Sequence, residues 1–405
     1  MSFATTNQTG VFIVEETTWG TTPATPALQE LRLTGEGINY EIENITSDEL
    51  RSDRMVSDTV QVGQTTSGNI DFELSFGTYD SLMESALYSA FVPIDSGNTS
   101  DVITAGASGS NLEISVSDTG TITLGSAYTI DVAVGQWVYL NNATTPANNN
   151  YYRVTGVAGN VLTVSPSPDT TEVLEATSTL SSSRLRNAPN AAGIVEKSFT
   201  VQKVFNDTTV PTYQNFTGMI ADTMSLNFEV GSILSGSFGF MGRAADIGTS
   251  QIAGATTVSA TTTDVMNSVS NLNNIEFDDA DTSASLLSMT LETTGNLRAQ
   301  KAIGSLPSVG VGTGRLEITG SISLYFEDIT EYNKFLQNTS FKVSFRVNDS
   351  AGNAYIVTLP KVKYEGMTMV AGGLDADIEM SGTYRALLGT SDSVNYMIEI
   401  DKVTA

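Results

Sequence analysis

The chain has 405 residues, a formal net charge of −26, and neither cysteine nor histidine. Without cysteine there are no disulfides or thiolate metal sites, and without histidine the commonest general base and metal ligand is missing. An acidic surface repels phosphates, which argues against a protein that grips DNA by its backbone. The first residues form no signal peptide, and no apolar run approaches the roughly 20 residues of a membrane span. We therefore expect a soluble protein, made in a cytoplasm, with no membrane contact.

The beginning of the chain predicts two strands and a polar arm. Residues 11–14 (VFIV) could form a strand added to a neighbour, and apolar residues alternate with polar ones over 38–42. Such alternation is typical of a half-buried strand. The next stretch, Asn44 to Gln64, is polar and charged and contains Arg51 and Arg54. Loops of this length are usually functional arms or disordered segments.

A strand runs directly into a helix between Gly68 and Ala90. Its apolar residues alternate with polar ones and then change to helical spacing. The alternating polar residues are Asn69, Asp71, Glu73 and Ser75. Thr78 is placed to cap the helix. The predicted apolar face of the helix is Leu82, Met83, Ala86 and Leu87.

The pattern of a strand followed directly by a short helix occurs twice in the sequence. Residues 320–336 repeat it 252 positions later, with Ser321 and Ser323 at polar positions. Downstream, residues 340–349 repeat 198–207 at an offset of 142. Since 252 − 142 = 110, the first repeat must hold about 110 extra residues, enough for a domain. Internal repeats of this kind usually settle the architecture.

The second repeat is also preceded by an arm. It runs from Gly295 to Gly314 and carries Arg298 and Lys301, as the first arm carries Arg51 and Arg54. Because both repeats keep basic residues in this position, the arms are predicted to contact another subunit.

The predicted fold class is therefore mainly β, with two tandem β-sandwich or barrel domains, each with one short helix, and a small inserted β domain. The insert lies between two elements of one fold, so it must project outward. The predicted domains are 1–94 with 196–245 (first repeat), 95–195 (insert), 246–274 (linker) and 275–405 (second repeat).

Three stretches resemble binding motifs. The acidic segment 273–281 lacks the glycine turn and closing glutamate of a calcium loop. The glycines at 310–314 precede a strand and no Lys-Ser/Thr follows, so they do not form a phosphate loop. The aromatic residues of the insert could form a sugar-binding platform, although a packed core is favoured; they are Trp137, Tyr139, Tyr151 and Tyr152. We predict no catalytic, metal or cofactor site and no enzymatic activity.

With these motifs, the chain resembles the major tail tube proteins of long-tailed, siphovirus-type bacteriophages. The resemblance rests on Trp-Gly-Thr-Thr-Pro at 19–23, the arm ITSDELRSDR at 45–54 and the strand-into-helix segment 68–87. Residues 135–157 resemble the small module that those proteins often carry. The second repeat shares the resemblance only through its internal match to the first.

The resemblance implies a structural virion protein whose rings stack into a tail tube, with a β-barrel channel through which DNA passes without specific binding. Family rings usually hold six tube domains, so two domains per chain imply three subunits in a pseudo-sixfold ring. The implied inter-ring contacts are Arg51, Arg54, Arg298 and Lys301. The channel-lining candidates are Asn69, Asp71, Glu73, Ser75, Ser321 and Ser323. The implied partners are the tape measure, tail terminator and distal tail proteins, with assembly in the host cytoplasm.

A second class of protein fits the composition equally well. An adhesin or receptor-binding surface protein built of β repeats would also be acidic, rich in threonine and free of cysteine. It would not explain why one repeat is interrupted while the other keeps the same element order, and the absence of an export signal argues against it.

Overall fold

The computed structural model is mainly β, which confirms the predicted fold class. It describes residues 5, 8–53, 55–188, 193–206, 209–281, 285–371, 373–374, 377–389 and 395–405. Its α-helices are α1 (Asp80–Leu87), in the first repeat, and α2 (Thr330–Leu336), in the second. Each repeat thus has one short helix directly after a strand, as the sequence predicts.

The strands are numbered in chain order. Before the insert lie β1 (Thr9–Glu16), β2 (Ala27–Glu30), β3 (Gly35–Glu36), β4 (Asn39–Thr46), β5 (Thr59–Glu73) and β6 (Val92–Pro93). The insert contains β7 (Val102–Thr104), β8 (Ile114–Ser117), β9 (Thr121–Leu124), β10 (Trp137–Asn141), β11 (Tyr151–Ala158), β12 (Val161–Ser165), β13 (Glu172–Val173) and β14 (Thr179–Ser181). Then follow β15 (Ser183–Arg186), β16 (Ser198–Phe205), β17 (Thr212–Glu229), β18 (Ser235–Gly242), β19 (Ala244–Gly248) and β20 (Thr256–Val258). The second repeat contains β21 (Leu272–Phe277), β22 (Ala280–Asp281), β23 (Leu286–Thr294), β24 (Arg298–Gln300), β25 (Gly310–Gly312), β26 (Glu317–Tyr325), β27 (Phe341–Asn348), β28 (Ala354–Val370), β29 (Glu379–Ala386) and β30 (Glu399–Val403).

One continuous antiparallel sheet, called here the inner sheet, runs through both repeats. Its strands lie in the order β4-β5-β18-β17-β23-β26-β29-β28. The first four strands belong to the first repeat, and the last four reproduce them in the second. β17 joins the repeats by pairing with β23, residues 223–229 against 288–294. The duplication predicted from the sequence therefore reappears as the same strand order twice.

A β-bulge lets β17 and β28 each serve two sheets. The bulge falls between Ala221 and Thr223 in β17 and between Tyr364 and Gly366 in β28. Before the bulge, β17 pairs with β16 and β28 with β27 in a second layer. After it, both strands lie in the inner sheet, because an extra residue bends the strand that contains it. The apolar core fills the space between the two layers, together with α1.

Two local predictions near the start of the chain are wrong. β1 is not added to a neighbour, because it pairs with β16 on one side and β2 on the other within its own chain. Thr78 does not cap α1, since Tyr79 is the N-cap residue and the Thr78 hydroxyl bonds to Ser75 and Thr261. The apolar face of α1 is buried as predicted: Leu82, Met83, Ala86 and Leu87.

The inserted residues build a separate sheet around their own core. Its strands lie in the order β13-β8-β9-β12-β11-β10-β14-β7 and span residues 102–181. The next strand, β15, already belongs to the larger sheet, because it pairs with β6 and with the C-terminal strand β30. The predicted domain limits, including 95–195 for the insert, remain a prediction.

The stretch predicted as a linker packs on the first repeat. β20 pairs with β2, and residues 263–268, called here the sealing segment, close one end of the core. The buried Met266 donates its N–H to the carbonyl of Leu74 and accepts from the N–H of Leu234, both at 2.9 Å. The sealing segment is thus held between the end of β5 and the start of β18.

Candidate assembly surfaces

One face of the inner sheet is polar and carries five of the six channel-lining candidates. Asn69, Asp71 and Glu73 alternate with buried apolar residues on β5, and Ser321 and Ser323 do so on β26. Successive side chains of a strand point to opposite faces, so register decides whether the two groups share a side. Cross-strand partners form an unbroken row across the sheet: Asp71, Ser237, Ser225, Glu292, Thr319 and Arg385. The five candidates of the two repeats therefore lie on the same face of the inner sheet.

Ser75 does not belong to this face. It is fully buried, its hydroxyl bonds to that of Thr78 at 2.7 Å, and its backbone forms a bridge with Val265 of the sealing segment. The strand alternation that suggested Ser75 ends at Glu73, because the chain turns there into α1 beneath the sealing segment. Its assignment as a channel-lining residue is therefore corrected.

The polar face is acidic. Its carboxylates include Glu41, Glu43, Asp71, Glu73, Glu229, Glu292, Glu317, Glu365 and Glu379, and its basic residues include Lys363 and Arg385. Arg385 is itself paired with Glu365 and, at 3.2 Å, with Glu317. Hydrogen bonds from Arg315 and Arg385 lower the pKa of Glu317, which stays charged. The face is concave over the second repeat, with depressions of about 460 and 400 Å³.

The inner sheet has an open edge at each end. In the described part of the chain, β4 pairs only with β5, and the second half of β28 pairs only with β29. Unpaired strand edges are templates for pairing with another chain. Both edges are therefore candidate contacts with a neighbouring subunit.

The two repeats differ in how well their last inner strand is covered. Leu226 on β17 and Met369 on β28 are equivalent, because each lies three positions after the second residue of the bulge, Thr223 or Gly366. Leu226 is 3% exposed, since β23 of the second repeat pairs with its strand, whereas Met369 is 45% exposed. The last inner strand is therefore exposed in the second repeat, whereas the equivalent strand of the first repeat is covered.

The two arms pack against each other within one chain. The first arm is a hairpin of β4 and β5, and the second is a ribbon of β24 and β25. Lys301 on the second arm binds both carboxylate oxygens of Glu43 on the first, at 2.6 and 2.7 Å. The N–H of Gln64 donates to the carbonyl of Leu306 at 3.0 Å. The arms thus form one projection, a contact that sequence reasoning missed.

The predicted inter-ring residues differ in their surroundings. Lys301 is held by Glu43, and Arg51 is paired with Asp53 at 2.6 Å. Arg298 is exposed on β24. Arg54 lies outside the described residues. Two of the four basic residues are therefore engaged within their own chain, and their role between rings remains a prediction.

Exposed apolar side chains mark the ends of both arms. Leu50, Met55 and Val56 lie near the tip of the first arm, and Ile303 lies at the tip of the second. Leu50 and Ile303 are fully exposed. Clustered apolar residues on a projecting surface often indicate a contact with another protein. These residues are visible in the sequence, but they are scattered among charged ones and follow no strand or helix period.

The four aromatic residues considered as a sugar platform are buried or partly buried by contacts within the protein. Tyr152 is buried in the core of the insert. The rings of Tyr139 and Tyr151 lie 4.4 Å apart, and the guanidinium of Arg346 lies 4.0 Å from the centre of the Tyr151 ring. The Tyr151 hydroxyl donates to the carbonyl of Gly352 at 2.9 Å. This group therefore attaches the insert to the second repeat.

A buried charged cluster also joins the insert to the C-terminal strand. Glu399 and Asp401 on β30 are fully buried. Glu399 pairs with Arg186 on β15, and Asp401 accepts a hydrogen bond from the N–H of Trp137 on β10 at 3.0 Å. Burial raises the pKa of Asp401 well above its usual range, and the neighbouring Glu399 adds to the shift. The cluster depends on its arginine to balance a buried carboxylate.

Salt bridges engage two carboxylates of the acidic segment 273–281. Asp279 pairs with Lys342, and Asp278 pairs with Lys334 at 3.0 Å. Within the described ranges, no group of three or more acidic side chains is placed to hold a metal ion. Among those residues there is also no helix of the length and apolarity that a bilayer crossing requires.

Comparison with known proteins gives one family. A family model described as phage tail tube protein matches residues 6–386. A search of curated proteins found no match. Proteins of that family are structural and assemble with themselves into the tube of a phage tail. Since the match covers both repeats and the insert, the chain belongs to the phage tail tube protein family.

Proposed function

We propose that this protein is the major tube subunit of a siphovirus-type tail and forms rings of three chains that stack around a channel for DNA. The observation that carries the proposal is the inner sheet, in which two equivalent four-strand units are joined and an open edge remains at each end. If the second half of β28 pairs with β4 of the next chain as β17 pairs with β23, the sheet closes into a barrel and both open edges are removed.

The internal joint predicts the register between neighbouring chains. Within the chain, Ser225 lies opposite Glu292. Thr368 takes the place of Ser225, since each lies two residues after the end of the bulge. Asn39 takes the place of Glu292. Asn39 lies opposite Ser67 and Glu292 lies opposite Thr319, and these two partners are equivalent because the repeats are offset by 252 positions, 67 + 252 = 319. The joint between chains then sets Thr368 opposite Asn39 of the next chain.

The dimensions fit passage of duplex DNA. Three chains with eight inner strands each give 3 × 8 = 24 strands. At a spacing of about 4.8 Å and a tilt of about 40°, the barrel is roughly 45 to 50 Å across between backbones. Side chains on the concave polar face would line this bore. The insert, 95–195, would project outward between the repeats 1–94 with 196–245 and 275–405, which are joined by 246–274.

The proposed mechanism is passive. An acidic lumen repels phosphates, so DNA slides without being held. The role needs no cofactor and no catalysis. The proposed partners are the tape measure protein inside the tube and the tail terminator and distal tail proteins at its ends, with assembly in the host cytoplasm before the tail joins the virion.

Reversing charge in the lumen is expected to slow DNA passage. Phage carrying Asp71→Lys with Glu73→Lys should eject DNA severalfold more slowly at low ionic strength, because the added cations of every ring attract phosphates, and should recover at high salt. Ejection rates measured at two salt concentrations check this. The matched control is Glu113→Lys on the surface of the insert. An unchanged ejection rate at low salt would remove these residues from the lumen.

The arms are proposed to bridge stacked rings through their apolar tips. Leu50→Asp with Ile303→Asp should leave rings intact and stop tube growth, because charged tips cannot be buried against the next ring. Electron microscopy distinguishes single rings from rods. Arg51→Glu with Arg298→Glu is the comparison: if that variant alone stops growth, charge and not apolar burial carries the contact.

Electron microscopy of the purified protein tests the proposal as a whole. Hollow rods built of threefold rings are expected at high protein concentration. Monomers under every condition, or rings with six chains, would contradict it.

A further inference from the structure

An apolar pocket, called here the joint pocket, lies where the two repeats meet. Its volume is about 100 Å³, well above the space that one water molecule needs. Phe228 in its wall is buried, whereas Val230 beside it is 65% exposed. The apolar residues that line the pocket are Phe228, Val230, Leu272, Ile275, Leu286 and Leu287. The pocket therefore offers apolar surface to a side chain that comes from outside the chain.

The joint pocket and the second arm lie at opposite ends of β23. Leu286, at the start of the strand, lines the pocket, and Thr294, at its end, leads into the arm. These positions are 294 − 286 = 8 residues apart, or about 26 Å at about 3.3 Å per residue. The arm continues away from the pocket, since Lys301 is bound to Glu43 on the first arm. The second arm can therefore reach only the pocket of another copy of the chain.

Ile303 at the tip of the second arm is held ready for such a contact. Its side chain is fully exposed. It lies in a turn in which the N–H of Ser305 donates to the carbonyl of Ala302 at 3.3 Å. The bonds of Lys301 and Leu306 to the first arm fix this turn from both sides. An apolar side chain on a fixed turn loses little freedom when it is buried, which favours binding.

The charges of the second arm and the joint pocket are opposite. The arm, from Gly295 to Gly314, contains Arg298 and Lys301 and no acidic residue, in a chain with a net charge of −26. Glu229 lines the joint pocket and is exposed. In the described part of the chain, neither Glu229 nor Arg298 has an ion-pair partner. Complementary charge therefore favours the second arm as the occupant of the pocket.

We propose that Ile303 of a chain in one ring enters the joint pocket of a chain in the next ring. The inference rests on the proposed function and names the surface that receives the second arm. A ring of three chains has three second arms at one end and three joint pockets at the other, so each arm meets one pocket. A contact between two different surfaces can repeat without limit, as a tube requires.

Mixing two defective kinds of ring tests the inference. Val230→Asp is expected to leave rings intact and stop tube growth, because it places a charge at the mouth of the pocket. Preformed rings of this variant keep their arms, and rings of Leu50→Asp with Ile303→Asp keep their pockets. Together they are expected to give pairs of rings in electron micrographs and no longer rods.

The matched control for the mixing experiment is Val173→Asp, an exposed valine of the insert, which should assemble into rods of normal length. Rods of normal length from Val230→Asp would overturn the inference. A mixture of the two defective kinds that yields no ring pairs would also overturn it, because arms that meet arms, or pockets that meet pockets, predict that result.

Engineered cysteines separate this inference from the tube itself, since the chain has no cysteine of its own. In rods, oxidation of Ile303→Cys with Val230→Cys is expected to link chains of successive rings into covalent polymers longer than three subunits. Free rings should not link, and neither should the control pair Ile303→Cys with Val173→Cys in rods. Rods that form without linking would overturn the inference and leave the proposed tube standing. Absence of rods from the unchanged protein would overturn the tube as well.

Discussion

Met369→Pro is expected to abolish ring and tube formation while leaving the isolated chain folded. In β17, Val230 donates its N–H to the second repeat and Asp222 accepts a hydrogen bond from it. Leu226 lies four residues from each of them, and backbone groups point to the same side at every second residue of a strand. The N–H of Leu226 therefore also points to the second repeat. Met369 is equivalent to Leu226, and its N–H points to the open edge. Proline removes that donor and is tolerated only on an edge strand. Size-exclusion chromatography should give a monomer at concentrations where the parent protein assembles completely.

The same substitution in the first repeat is the matched control. Leu226→Pro lies between two paired strands, so it should destabilise the chain itself by at least about 1 to 3 kcal/mol, because it leaves a buried acceptor of the neighbouring strand without its hydrogen bond. Circular dichroism melting distinguishes the two variants. Rings formed by Met369→Pro would show that the edge of β28 does not take part in assembly.

Arg186→Ala is expected to lower the free energy of unfolding by about 3 to 5 kcal/mol, because it leaves the buried carboxylate of Glu399 without its partner. The same change removes the stacking of the guanidinium on Tyr396, 4.2 Å from the ring centre. Denaturant unfolding followed by tryptophan fluorescence measures the loss, since Trp137 lies beside the cluster.

An exposed arginine provides the control for this prediction. Arg315 pairs with Glu317 at the surface, and Arg315→Ala should change stability by less than about 1 kcal/mol. The double variant Arg186→Ala with Glu399→Gln should recover part of the loss, because the buried charge is then absent. Equal stabilities of Arg186→Ala and Arg315→Ala would contradict the role of the cluster.

Local periodicity was enough to predict much of the fold. The alternation along β5, the helix after it and their recurrence at Ser321 and Ser323 depend on neighbouring residues, which the sequence shows directly. The five channel candidates share a face because strand alternation is rigid once the register is set. The internal repeat then indicates which residues of β5 and β26 are equivalent, although they lie far apart in the sequence.

Long-range contacts were beyond this reasoning. Ser75 follows the strand pattern, yet Val265, far along the chain, covers it. The pairing of β15 with β30 and the contact of Lys301 with Glu43 join residues separated by more than 200 positions. Such contacts depend on tertiary packing, which overrides local preference.

The covalent connection between the repeats changes how a closed assembly can arise. The joint between β17 and β23 forms when the chain folds, so its partners meet at a high effective concentration and lose little translational freedom. A ring of three chains then leaves three joints to form between separate molecules, where six unconnected domains would leave six. In the proposed ring of three chains, fusion of the repeats would therefore halve the number of intermolecular joints and fix the alternation of the two domain types.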